Sequence, residues 1–157
     1  MDDIDLFFEA IRSNDKDRIE ALLNINPSLV NGKDMRGFTP LIFASYFDNL
    51  QAVNILLKHK AQIDGKDTSG NTALIGVCFK GNTEIVDTLI QNGANVNAVN
   101  NNGTTPLMFA TMYDKKAVIE KLLKNKADTS IKDNEGKTAY HHAKEKGFEH
   151  LSELLEA

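Results

Sequence analysis

The chain has 157 residues, 41% hydrophobic and 25% charged, the balance of one ordinary globular domain and not of a disordered chain. Its 18 Lys+Arg against 22 Asp+Glu give a net charge of −4, and Lys115, Lys116, Lys121, Lys124 and Lys126 are interleaved with Asp114, Glu120 and Asp128, so no nucleic-acid partner is expected. A lone cysteine, Cys78, excludes an intrachain disulfide, and no apolar run reaches signal or membrane-spanning length, so a reducing cytosol and no membrane contact are expected.

Glycines stand at Gly37, Gly70, Gly103 and Gly136, each 33 residues after the last, and each is followed two places on by a threonine: Thr39, Thr72, Thr105, Thr138. An Asp precedes three of these glycines by three places (Asp34, Asp67, Asp133), and Asn100 fills the fourth position. A fixed period of this size marks stacked supersecondary units. It divides the chain into 1–33, 34–66, 67–99, 100–132 and 133–157.

The first unit is degenerate. Asp5 stands in the threonine position as a candidate N-cap, Ala10 matches Ala44, Asn14 matches Asp48, Leu23 matches Leu57, and one residue is inserted around Pro27. The second opens DMRGFTPLIFA. There Thr39 is a good N-cap, because its hydroxyl accepts an unpaired helix-start N–H, and Pro40 sits at the first helical position, where a missing N–H costs nothing. A first helix of about two turns runs to Asp48, and a second carries Leu56–Leu57. The third unit opens DTSGNTALIGV, turns at Gly81 and carries Leu89–Ile90. Its Gly76 costs about 1 kcal/mol in a helix relative to alanine; it stands level with Phe43 and Phe109 and is read as making space for one of those rings. The fourth opens NNNGTTPLMFA, with Pro106 after its threonine, a turn at Asp114 and the pair Leu122–Leu123. The fifth opens DNEGKTAYHHA and turns at Gly147. Asn14, Asp48, Gly81, Asp114 and Gly147 are all types that tolerate a left-handed backbone. Lys60, Gly93 and Lys126 share the slot after the second helices; if the two lysines take positive φ there, each carries strain.

A hairpin of this size cannot bury its own apolar face, so inner units need neighbours and end units need polar surfaces. One second-helix slot reads Arg18, Ala52, Ile85, Val118, Leu151, polar only at the start. The next reads Ile19, Val53, Val86, Ile119, Ser152, and a third Leu23, Leu57, Ile90, Leu123, Glu156, both polar only at the end. The first is expected to face the preceding unit and the other two the following one. On that pattern the array begins and ends within the sequence and leaves no space for a catalytic domain.

The period and the openings resemble the ankyrin repeat, a turn followed by two helices with a T-P-L-H-x-A-like signature. The resemblance implies an all-α repeat, an ankyrin solenoid of stacked helix-turn-helix units with short β-hairpin connections, forming a single domain over 1–157 with 1–33 and 133–157 as caps. The signature histidine survives only as His141, where the resemblance implies a hydrogen bond to Thr138; Ile42, Ile75 and Met108 replace it elsewhere.

The resemblance also implies that partners dock on a concave surface of hairpin tips and first helices. The tips carry Met35, Arg36 and Phe38, then Thr68, Ser69 and Asn71, then Asn101, Asn102 and Thr104, then Asn134, Glu135 and Lys137. The first-helix positions carry Arg12 and Ser13, Tyr46 and Phe47, Phe79 and Lys80, Met112 and Tyr113, Glu145 and Lys146. An exposed strip of Met35, Phe38, Tyr46, Phe47, Phe79, Met112 and Tyr113, rimmed by Arg12, Arg36 and Lys80, suits an interface core. Arg36, Tyr46 and Tyr113 are of the types enriched at hot spots. The expected function is therefore a monomeric, non-catalytic module that binds another protein as adaptor, inhibitor or regulator. The second reading is an accessory factor for a partner enzyme, a role some bacterial ankyrin proteins play.

Enzyme chemistry finds little to stand on. His59, His141, His142, His150 and Cys78 have no HExxH or CxxC spacing, so no metal is expected. Cys78 shares a small-residue slot with Ser45 and Thr111 and lacks a positioned base. Glycines are spread through turns rather than clustered before a helix, so no phosphate loop is expected, and no cofactor. The Asp67–Asn71 run lacks the distal glutamate of a calcium loop. Asn102-Gly103-Thr104 reads as a turn rather than a sequon, and Asn97 as structural.

Overall fold

The computed structural model describes residues 1–156, and among them ten α-helices, one 3₁₀-helix and no strand. The helices come in pairs: α1 (Asp3–Arg12) with α2 (Lys16–Ile25), α3 (Pro40–Tyr46) with α4 (Leu50–Lys58), α5 (Ala73–Lys80) with α6 (Thr83–Gln91), α7 (Pro106–Met112) with α8 (Lys116–Lys124), and α9 (Ala139–Lys146) with α10 (Glu149–Leu155). First helices pack in one row, α1 to α3 to α5 to α7 to α9, and second helices α2, α4, α6 and α8 in another; α10 packs mainly on α9. A continuous apolar core runs between the rows from Phe7 to Leu155.

Local chemistry explains the helix ends. Thr39, Thr72, Thr105 and Thr138 cap α3, α5, α7 and α9, their hydroxyls accepting from the N–H of Ile42, Ile75, Met108 and His141 at 3.1–3.3 Å. His141 Nδ1 in turn accepts the Thr138 N–H at 3.1 Å, as the resemblance implied. The first helices end where Asn14, Asp48, Gly81, Asp114 and Gly147 take positive φ, and Lys60, Gly93 and Lys126 do the same after the second helices. One start differs from expectation. The N-cap of α1 is Asp2, and Asp5 lies one turn inside, closing a capping box with it. The residue inserted around Pro27 is absorbed in the 3₁₀-helix Pro27–Asn31.

The connections contain no strands. Each tip is a turn closed by two backbone bonds, such as Asp67 N–H to Asn71 O and Gly70 N–H to Asp67 O, both at 3.0 Å, and by an Asp or Asn side chain. Stacking follows the slot pattern in part. Arg18 is exposed while Ala52, Ile85, Val118 and Leu151 are buried, so that slot does face the preceding unit. Leaving one such side chain in water costs about 1.5–3 kcal/mol. The third slot fades to exposed Glu156, as expected. The second does not. Ser152 is buried like Ile19, Val53, Val86 and Ile119, with its hydroxyl donating to Glu149 O at 2.9 Å, so that slot turns inward within each pair rather than toward the next.

Candidate functional site: the face of tips and first helices

The tips begin with a repeated device. Oδ1 of Asp34, Asp67, Asn100 and Asp133 each accepts two backbone N–H groups of its own turn, two and four residues on, at 2.9–3.0 Å. The Asx-x-x-Gly spacing carried this signal in the sequence. Burial opposes the charge of Asp34, but the N–H groups of Phe38 and Arg36 and the Arg36 guanidinium outweigh it and hold the carboxyl below its ordinary range. Asp133 behaves alike: burial is overcome by the Lys137 N–H, the His142 ring and the Glu135 N–H.

Next to the tips runs the aromatic strip. Met35 is fully exposed, and Tyr46, Phe47 and Tyr113 are 40%, 54% and 47% exposed. Phe38, Phe79 and Met112, expected in the open with them, are half-buried, Phe38 and Met112 packing on the core and Phe79 on Tyr113. Neighbouring first helices lie close enough for these side chains to fold onto one another. The rings are contiguous. Phe47 lies against Phe43 at 4.7 Å between centroids, Tyr46 against Phe47 at 5.4 Å, and Phe79 meets Tyr113 edge-on at 4.5 Å. Tyr46 and Phe79 are nearly parallel, 6.3 Å apart.

The three cations expected at the rim sit on ring faces. Arg36 lies 4.9 Å from the Phe38 ring, Arg12 5.9 Å from Phe43, and Lys80 Nζ 5.0 Å from Tyr46. Arg12 also pairs with Glu9 at 2.9 Å and Arg36 with Asp34 at 2.9 Å. Of the ten expected interface residues, Arg36, Phe38, Tyr46, Phe47 and Phe79 line one groove of about 410 Å³, together with Ile42, Phe43, Ile75, Gly76, Phe109 and the tip residues Asp67, Ser69 and Asn71. Met35, Arg12, Lys80, Met112 and Tyr113 lie outside it. Phe43, Gly76 and Phe109 were missed, as were Ile42, Ile75 and Asp67, although the large-small-large alternation of the first three at one register was visible in the sequence. Gly76 does not accommodate a packed ring: a β-carbon there would have no atom within 4 Å.

The groups that suggested chemistry are otherwise engaged. His59 Nε2 lies 2.7 Å from Glu20, His142 Nε2 2.8 Å from Asp133 and His150 Nε2 2.6 Å from Asp114. Cys78 is fully buried, and burial pushes its thiol well above the ordinary range, away from a reactive thiolate. Among the described residues no group of three or more His, Cys, Asp or Glu side chains is arranged to hold a metal ion, and no helix is long and apolar enough to cross a membrane. Asn97 bridges repeats: its Oδ1 accepts the Asp128 N–H at 2.8 Å.

The family model described as ankyrin repeats (3 copies) matches residues 7–100 and 77–157. No curated protein matches the chain.

Proposed function

The chain belongs to the ankyrin-repeat family, whose members generally serve as protein-interaction modules and are typically not enzymes, and on that premise we propose that it is a non-catalytic, monomeric cytosolic binder holding a partner protein on the face of tips and first helices. The observation that carries the reading is the contiguous run of rings from Phe47 through Tyr46 and Phe79 to Tyr113, with Met35 fully exposed at a tip. Aromatic and methionine side chains are enriched in interface cores, and guanidinium groups such as those of Arg12 and Arg36 are enriched with them.

The test replaces Met35, Tyr46 and Tyr113 together with alanine. Phe79 is left intact because it is half-buried and its loss would also unsettle the fold. Affinity capture with mass spectrometry should identify a specific partner with the wild-type chain, and the triple variant should lose at least about tenfold in affinity while its circular dichroism and melting stay unchanged. Undiminished capture by the variant would discard this face. An accessory role beside a partner enzyme acts through the same surface; it requires that the captured protein be an enzyme whose activity rises when the chain is added.

A further inference from the structure

Gly76 interrupts a wall. At its register the other first helices carry Glu9, Phe43, Phe109 and His142, while Gly76 leaves open space that nothing in its surroundings demands. The opening belongs to the groove of about 410 Å³, whose lining includes Phe43, Phe79, Phe109 and Asp67. That volume is near the lower limit of ligand pockets, about 300–1,000 Å³, and suits a single long side chain.

The carboxylates at the tips indicate which kind. Asp34, Asp67 and Asp133 each commit Oδ1 to their own turn. The second oxygen of Asp34 accepts from Arg36 Nε and Nη2 at 3.1 and 2.9 Å, and that of Asp133 lies 2.8 Å from His142 Nε2. Asp67 Oδ2 has no hydrogen-bond or ion-pair partner among the described residues. The reason is written in the register: the counterpart of Arg36 is Ser69, and the counterpart of His142 is Gly76. In the remaining repeat the position is the uncharged Asn100. The rings divide in the same way. Phe38, Phe43 and Tyr46 already have Arg36, Arg12 or Lys80 over them, whereas Phe79 and Phe109 have no cation within reach among the described residues. Arg36 also lines the groove, but its guanidinium is held by Asp34.

A carboxylate oxygen without a partner, in the same groove as two rings that carry no cation, selects a cation with an apolar stem. We propose that the Gly76 notch receives an arginine or lysine side chain of the partner protein, its charge on Asp67 Oδ2 and its methylenes against Phe79 and Phe109. This rests on the proposed docking face and specifies what that face recognises.

The test titrates the ¹⁵N-labelled chain with N-acetyl-arginine N-methylamide and N-acetyl-lysine N-methylamide, using the N-acetyl-norleucine analogue as the uncharged stem. Saturable shifts at the amides of Asp67, Gly76 and Phe79 are expected with at least one cationic probe and not with norleucine. Asp67→Asn should weaken them at least about tenfold without disturbing the turn, since Asn100 builds the same turn in its repeat. Gly76→Phe, which restores the neighbouring residue type, should abolish them. An equal response to norleucine, an unchanged affinity in Asp67→Asn, or no saturable shift with either cation would overturn the proposal. The probes bypass the partner, so a silent notch with intact strip-dependent capture discards the notch alone, and a responsive notch with strip-independent capture discards the docking face alone.

Discussion

Lys60 and Lys126 follow α4 and α8 at φ of 65° and 66°, in the position where Gly93 follows α6 at 90°. A left-handed backbone brings the β-carbon of an L-residue toward the following carbonyl, whereas glycine adopts it freely. Glycine also loses more unfolded-state freedom, so the net gain from Lys60→Gly or Lys126→Gly is about 0.5–1 kcal/mol each. For a chain of this size 1 kcal/mol moves the melting midpoint by about 2–4 °C. Calorimetry should therefore record a rise of a few degrees for both variants together, and a fall would show that the lysine stems stabilise the turns by more than the backbone strain. Ser45 is a second local departure. It is buried and its hydroxyl has no partner among the described residues, while Thr111 in the same slot donates to Leu107 O at 2.7 Å.

The tip turns are the elements that join the stack, and they are acid-sensitive. Asn101 Nδ2 donates to Thr68 O and Asn134 Nδ2 to Asn101 O, each at 3.0 Å, linking the last three tips. A second ladder links the far ends of the repeats, where Asn31, Asp64 and Asn97 accept the N–H of Gln62, Asn95 and Asp128. Within the tips Asp34 and Asp133 have lowered carboxyl pKa values in the folded chain. A lowered value means the folded state holds the charged form more tightly than the unfolded chain does. The resulting stability is complete above the ordinary Asp value of about 3.9 and disappears as pH falls through the lowered values. The melting midpoint should drop as the pH falls below about 4, and Asp34→Asn with Asp133→Asn should flatten that drop, because Asn keeps the Oδ1 turn and has no proton to gain. An equally steep drop in the double variant would place the acid-labile groups elsewhere.

At the scale of the molecule, stability is a sum of repeats and the interfaces between neighbours. The shared 33-residue register makes the repeats exchangeable in principle. Removing residues 100–132 would bring α9 and α10 onto α5 and α6. Asn134 would then meet Thr68 O, the carbonyl that Asn101 now uses. The shortened chain should fold cooperatively, with lower stability and a urea m-value reduced by about a fifth, since m follows the surface exposed on unfolding. An aggregated product, or an undiminished m-value, would show that the repeats do not act as a linear stack.

What the sequence by itself determined was mostly what is held by bonds between near neighbours in the chain: the period, the four threonine caps and the left-handed positions, but not the start of the first helix, which Asp2 caps in place of Asp5. Those bonds span three or four residues, so spacing alone specifies them, and the Asx turns at the tips were legible for the same reason. The tertiary structure decided which side chains meet across repeats. The family resemblance put Phe38, Phe79 and Met112 in the open, but neighbouring first helices come close enough to half-bury them. Spacing put Ser152 on an outer face, and α10 turned it inward. It made Gly76 a relief for a ring, where the packed helices leave open space in a groove that Asp67 also lines. A position along the chain fixes the direction of a side chain, whereas burial depends on how near the next helix comes, which only packing of the whole stack sets.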